Sequence, residues 1–187
     1  MRSPFVYDTR ELGRRPGSMR EHRIEAVAPE GWGIELIRVP PGTPVLVDAR
    51  FESVMDGVLV TAEVDVAVPA ECGRCLEPIE VQVAAPVQEL FAYEPDPEDD
   101  ELPVLTGDQL DLEPVLRDAV VLALPLNPLC DPDCLGLCVT CGARLADVEE
   151  GHSHEEVDPR WAALALLKDS NTGLRAEPDY TSETEEN

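Results

Sequence analysis

Aromatic residues make up only 4% of this 187-residue chain. A core must therefore be built from Val, Leu and Ala, which the 43% apolar content permits. Basic residues are scarce too: 14 Lys and Arg stand against 39 Asp and Glu, a net charge of −25. A field of that sign repels phosphate and excludes a broad nucleic-acid face, with no DNA partner expected. Long hydrophobic runs are missing. "AVVLAL" is far too short to span a bilayer, and "MRSPFVYDTRELGRRPGSMR" holds no apolar stretch of signal-peptide length. These absences predict a cytoplasmic protein without membrane attachment, built as one domain with appendages.

What the chain does have is cysteine. "CDPDCLGLCVTCG" carries Cys130, Cys134, Cys138 and Cys141, and "ECGRCLEP" carries Cys72 and Cys75. Thiols in a reducing compartment are kept free, so clustered cysteines there are metal ligands or redox groups before they are disulfides. "CVTCG" and "CGRC" share the two-residue gap that lets both sulfurs reach one ion, and the Gly after Cys141 permits the turn that aims backbone N–H groups at sulfur. Soft thiolates favour tetrahedral zinc, with iron–sulfur ligation as the alternative.

The residues leave the partition among ligands open. A compact site uses Cys130, Cys134, Cys138 and Cys141. A ribbon-like site joins Cys72 and Cys75 to Cys138 and Cys141. A third scheme recruits "GHSH": Cys72, Cys75, Cys130 and Cys134 form one site, and Cys138, Cys141, His152 and His154 the other. The bland alternative for His152 and His154 is a pair of exposed loop histidines.

Around these motifs the pattern is mainly β. "FVYDTRELG" opens with a short strand and "RPGSM" breaks it. "RIEAVAPEGWG", "IELIRVPPG" and "PVLVDARFESV" all read as strands, the last two separated by "PPGTP". "MDG" is a hairpin signal. Val58, Val60, Ala62, Val64, Val66 and Val68 then alternate with mostly polar residues, and Ile79, Val81, Val83, Ala85 and Val87 repeat the pattern. The two runs predict one long antiparallel hairpin with the Cys72–Cys75 turn at its tip.

"YEPDPEDDELP" is acidic, Pro-rich and loop-like. "DLEPVLRDAVVLAL" predicts a helix over 111–124, with Asp111 as N-cap, Pro114 in the first turn, and a stripe of Leu112, Val115, Leu116 and Ala119 extended by Leu122 and Ala123. Pro125 stops it. A last helix is expected over 158–168, capped by Asp158, with Trp161, Leu164 and Ala165 on its apolar face. The acidic tail 169–187 has nothing to bury and is expected to be disordered. No internal repeat is visible. The expected architecture is α+β: an antiparallel β-sheet or partly closed barrel with a packed helix, a cysteine-rich metal-binding segment and a short C-terminal helix.

No enzyme constellation emerges, and no small-molecule substrate is implied. "GRRPGS" and "EGWG" do not fit a phosphate-binding loop. Carboxylate pairs such as Glu63/Asp65 and Asp99/Asp100 read as solvated faces without context to perturb them. The rival from another class is a dithiol oxidoreductase or a zinc-holding redox switch using Cys72 and Cys75. Against it, the pair sits in a hairpin turn and not at the start of a helix, whose dipole would lower a thiol pKa. The only stretch with the composition to touch RNA is the arm bearing Arg10, Arg14, Arg15, Arg20 and Arg23; its bland reading is a solvated basic terminus.

"DTRELGRRPGSM", "GRCLEP", "DLEPVLRDAVVLALPLNPLC", "DCLGLCVTCGARL" and "DPRWAALALL" together resemble the YceD family, the large ribosomal RNA subunit accumulation proteins, in its cysteine-rich Gram-positive-type form. The resemblance runs from about Phe5 to Lys168. It implies one domain over 1–168, with 5–92 mainly β, an acidic loop at 93–110, the helix at 111–124, a metal-binding segment at 130–154 and the helix at 158–168. It further implies a non-enzymatic role in large-subunit ribosomal RNA accumulation, through that RNA or a basic ribosomal protein. For the cysteines it favours the two-site or hairpin-centred partition over the compact one, with one or two zinc ions as structural support.

Overall fold

The computed structural model describes residues 3–95, 102–154 and 160. Its centre is a four-stranded antiparallel sheet: β2 (Met19–Val27), β3 (Pro44–Ser53), β4 (Gly57–Glu71) and β5 (Pro78–Ala92), in the order β2-β3-β4-β5. Every neighbour in the sheet is also the next strand in sequence. β4 and β5 pair over their whole length, from Gly57 opposite Ala92 to Glu71 opposite Pro78. A second sheet of two short strands joins β1 (Val6–Asp8) to β6 (Gln109–Asp111). The helix α1 (Glu113–Ala123) packs on β5. The architecture is thus antiparallel sheet plus one short helix, and the four-stranded sheet is open, with β2 and β5 as its edges.

Side-chain alternation decides which face is covered. Val58, Val60, Ala62, Val64, Val66 and Val68 are all buried, as are Val83, Ala85 and Val87 opposite them. Glu63 and Asp65 point to water from the other face. The valine face is roofed by α1, through Leu112, Leu116 and Val120, and by Phe5, Trp32, Leu105 and Leu110. Trp32 is one of the few large aromatics and is fully buried; its indole N–H donates to Glu113 Oε1 at 3.1 Å, which satisfies the polar edge that burial would otherwise strand.

Four expectations need correction. "IELIRVPPG" forms no strand: only an isolated bridge joins Gly33 to Arg38, and the segment turns tightly so that Trp32, Ile37 and Val39 plug the core. A Cβ at Gly33 would lie 2.4 Å from Arg38 Cα, so this turn admits glycine alone. The helix N-cap is Leu112, not Asp111; Asp111 still accepts the Glu113 N–H at 3.0 Å, from inside β6. The apolar stripe continues through Val120 and Leu124, both buried, whereas Leu122 is 87% exposed and Ala123 also faces water. Steps of four from Leu112 through Leu116 and Val120 keep to one face, and Leu122 falls opposite. The loop expected at 93–110 ends early, since β6 begins at Gln109. The helix expected at 158–168 and the tail 169–187 lie outside the described residues, apart from Arg160.

No helix among the described residues is long and apolar enough to cross a membrane. Leu116 is fully buried between helix and sheet. Leu116→Ala should therefore lower unfolding free energy by about 2–5 kcal/mol, the range for deleting a buried leucine side chain. Denaturant titration checks it, and a loss under ~1 kcal/mol would show that the roof is not seated as described.

Candidate metal centres

The β4–β5 hairpin outruns its support. β3 pairs with β4 only from Val45–Val66 to Ser53–Val58, so beyond Val66 the described strands leave β4 with β5 alone. At the end of this overhang sit Cys72 and Cys75. After α1, Pro125 ends the helix and the chain crosses to the tip. There Gly73 N–H donates to Pro128 O at 2.8 Å, and the Arg74 guanidinium donates to the carbonyls of Pro132 and Cys134 at 3.0 and 2.9 Å. This clasp delivers Cys130 and Cys134 to the hairpin.

The result is two groups of donors. The Sγ atoms of Cys72, Cys75, Cys130 and Cys134 all lie within 4.8 Å of one another, and so do the donor atoms of Cys138, Cys141, His152 and His154. In the first group Cys72 Sγ is 3.9 Å from Cys134 Sγ, and Cys75 Sγ is 3.6 Å from Cys130 Sγ. A tetrahedron with metal–sulfur bonds of ~2.3 Å has edges of about 3.8 Å. A disulfide needs ~2.05 Å, and all six cysteines are free. In the second group Cys141 Sγ is 3.5 Å from His152 Nε2, which is 3.1 Å from His154 Nε2. Metal–nitrogen bonds of ~2.0–2.1 Å make shorter edges, of about 3.3–3.5 Å. Both donor sets therefore fit a four-coordinate ion, and the compact and ribbon-like groupings are not the ones the chain path assembles.

Both groups are built on the same turn. Cys72 N–H donates to Glu77 O at 2.8 Å and Leu76 N–H to Cys72 O at 2.9 Å; Cys138 N–H donates to Ala143 O at 2.7 Å and Gly142 N–H to Cys138 O at 2.8 Å. The offsets along the chain are identical. In each, the residue after the second cysteine has positive φ: +72° at Gly142 and +60° at Leu76. Backbone N–H groups of each turn, joined at Cys72 by that of Cys130 on the returning chain, aim at the first sulfur. Those of Cys130, Cys75 and Arg74 hold the Cys72 thiol down to about 6, and those of Cys141 and Thr140 do the same for Cys138. Cys130 is pushed up to about 12, first by its hydrogen bond with Cys134 and then by those with Cys75 and Cys72. Cys75 is also raised: the Glu77 N–H favours its thiolate, but burial and the bond with Cys72 outweigh it. Four thiols at one point cannot all ionise without a cation among them, so the first to ionise sits beside the last.

The groups differ in shelter. Cys72 and Cys75 are buried, whereas Cys141 and His154 are exposed and Cys138 and His152 half-buried. They are tied together by Arg144, whose guanidinium meets Glu77 at 2.8 Å and Asp147 at 3.4 Å, and by Leu145 N–H, which donates to Gly136 O at 2.9 Å. Arg74 and Arg144 were not singled out from sequence. Only Arg74's place inside "CGRC" signals its role.

The arginine arm runs from the other end of β4 toward its middle: through β3, Arg20 is level with Val60 and Arg23 with Glu63, roughly 40 and 30 Å from Cys72 at ~3.3 Å per residue. Arg10 pairs with Asp8; Arg14 is 3.7 Å from Asp108 and stacks 4.9 Å above the Tyr93 ring; Arg23 is 3.6 Å from Asp48. Arg20 donates to Met19 O at 3.0 Å. Among the described residues Arg15 and Arg20 have no carboxylate within ion-pair distance, and all five side chains are exposed.

A family model described as "Large ribosomal RNA subunit accumulation protein YceD" matches residues 60–168, a span that takes in β4, the hairpin tip, α1 and both cysteine groups. The chain belongs to the YceD family. An uncharacterized protein of Mycobacterium bovis is 44% identical over 94% of this chain and 87% of its own length, and one of Mycobacterium leprae is 37% identical over 98% and 83%. A chloroplastic protein of Zea mays, named large ribosomal RNA subunit accumulation protein YCED homolog 1, is 26% identical over 62% of this chain and 50% of its own. No solved structure matches.

At Gly136 the returning chain passes close to the tip: it has φ +79°, and a Cβ there would lie 3.1 Å from Arg74 O. Gly136→Ala should cost about 1–2 kcal/mol of stability, from the left-handed backbone alone. Denaturant titration reads it, and an unchanged midpoint would mean the crossing chain is not held at this point.

Proposed function

We propose that this chain is a non-enzymatic cytoplasmic factor that supports accumulation of large-subunit ribosomal RNA. In this reading two structural zinc ions hold its cysteine end, in a single domain over 1–168. The observation that carries the role is family membership, together with the name borne by the maize relative. The metal reading is supported by two four-donor groups at tetrahedral spacing, each opened by a turn that stabilises thiolate. Zinc suits the sulfur-rich and Cys₂His₂ sets, and it would supply cross-linking of chain segments. Cys72, Cys75, Cys130 and Cys134 would join the hairpin to the segment after α1. Cys138, Cys141, His152 and His154 would close the loop behind it.

A dithiol oxidoreductase needs an attacking thiol that a substrate disulfide can reach. The lowered Cys72 thiol favours that reading, but Cys72 is 0% exposed and Cys75 6%, which opposes it. Any direct contact with ribosomal RNA falls to the exposed arm, chiefly Arg14, Arg15 and Arg20.

Protein purified without chelator should carry two equivalents of zinc, one per donor group. Cys72→Ser should lose one and destabilise the hairpin tip, Cys138→Ser should lose the other, and the double variant should lose both. Elemental analysis decides, and a single variant that empties both sites would return the compact or ribbon-like grouping. Iron with visible absorbance would replace zinc by a cluster.

Depletion should lower the ratio of large- to small-subunit ribosomal RNA, and the purified protein should not turn over a disulfide such as insulin. An unchanged ratio refutes the role, and turnover restores the redox reading. Replacing Arg14, Arg15 and Arg20 together with Ala should flatten the salt dependence of binding to large-subunit RNA fragments by about one log–log unit for each phosphate no longer neutralised. If affinity and slope stay the same, the arm does not touch the RNA.

A further inference from the structure

Beside the first cysteine group runs a groove of about 590 Å³ that the proposed role leaves unused. Its walls are Leu36, Leu76 and Leu126, which are 81%, 61% and 78% exposed, and Pro69, Pro78 and Pro128 line it between them. A single exposed leucine calls for no explanation. Three around one groove make a contiguous apolar surface of the kind that marks an interaction site.

Leu76 sharpens the point. It holds φ +60° where the equivalent residue of the second turn is Gly142. A left-handed backbone strains a side-chain-bearing residue but not glycine. The chain thus keeps a leucine where the backbone favours glycine, and holds it in water. Leu76 is not part of the hydrophobic core, which leaves its exposed side chain available to a partner.

Charge selects the occupant. Glu35 and Glu71 line the groove, and Glu80 is paired opposite its Pro69. Of the cations at this end, Arg74 is turned onto backbone carbonyls and Arg144 is committed to Glu77 and Asp147. Among the described lining residues, Arg38 is the one cation. A second copy would bring another net charge of −25, and the chain beyond His154 carries nine acids against three bases. Both have the sign of these glutamates. A cationic segment is attracted.

We propose that this groove docks a lysine- and arginine-rich polypeptide segment, with apolar anchor side chains between the Leu36, Leu76 and Leu126 walls and its cations on the glutamates. The choice of a basic protein as partner rests on the ribosomal reading above. The groove lies at the Glu71 end of β4 and Arg14, stacked on Tyr93, beside the other, so such a segment and an RNA can be held at once.

The test uses the full-length metal-bound protein and a labelled lysine- and arginine-rich peptide with a leucine at every fourth position. The control peptide has serine in place of leucine. Binding is read by fluorescence anisotropy across a salt series. Leu76→Gly should weaken the leucine peptide by about tenfold or more, the loss of one buried anchor. Its metal content should stay the same, and its unfolding midpoint should hold or rise as the strain is relieved. Three outcomes overturn the proposal. Equal affinity for Leu76→Gly or for the serine peptide means charge alone binds. A lowered midpoint in Leu76→Gly means the leucine serves the fold. A tenfold gain in affinity when Trp161 and Leu164 are replaced by Ser means the chain's own C-terminal stretch fills the groove. Abolished peptide binding while depletion still lowers the ribosomal RNA ratio removes the groove and leaves the role; binding kept while the ratio is unmoved does the reverse.

Discussion

The β4–β5 hairpin runs past the sheet that supports it, and its free end has to be held by something. Beyond Val66 the strands have only each other, and a lone two-stranded ribbon is marginal in water. The chain meets this constraint by returning after α1 to the tip. The carbonyl of Pro128 takes the Gly73 N–H, and Arg74 reaches across to two carbonyls of the returning chain. Four sulfurs then converge at one point between the two segments. Between Pro125 and Cys134 the chain runs across that end.

The second donor group solves a smaller version of the same problem with the same part. Its turn repeats the hydrogen bonds of the first at identical offsets, from Cys138 to Ala143 as from Cys72 to Glu77. One turn lies between two strands and the other in a loop, which indicates that its form is set by the cysteine pair and not by the neighbouring structure. What differs is exposure. The first pair is buried beneath the returning chain, and the second faces water on one side. Arg144 ties the second to the first through Glu77, so the two groups form one block at the end of the molecule.

Much of this was legible in the sequence, for reasons that can be named. Period-two valines from Val58 to Val68 announce a half-buried strand, and their repetition after the cysteine turn announces its partner. The paired two-residue spacing of the cysteines marked them as candidate ligands. The failures are equally specific. "IELIRV" has a strand's composition, but a close backbone approach at Gly33 turns it into a plug for the core. Leu122 lies between two correct stripe positions in composition and opposite them in angle. The repeated turn was invisible because one copy ends in "CG" and the other in "CL"; only the positive φ of Leu76 shows them to be alike. The grouping of eight donors depended on where the chain goes after Pro125, a tertiary fact that spacing does not encode.

The order of the sheet has a consequence for how this chain is made. Each strand of β2-β3-β4-β5 pairs with its immediate predecessor, so the sheet can assemble by local steps as synthesis proceeds. Its last strand ends at Ala92. The contacts that close its tip link Cys72 to Cys134 and Cys75 to Cys130, separations of 62 and 55 residues. On the ribosome the sheet is therefore complete while its far end is still open and its thiols unshared. Closure waits for the segment from Pro125 to His154 to emerge, so the tip is the last part of the described fold to be joined.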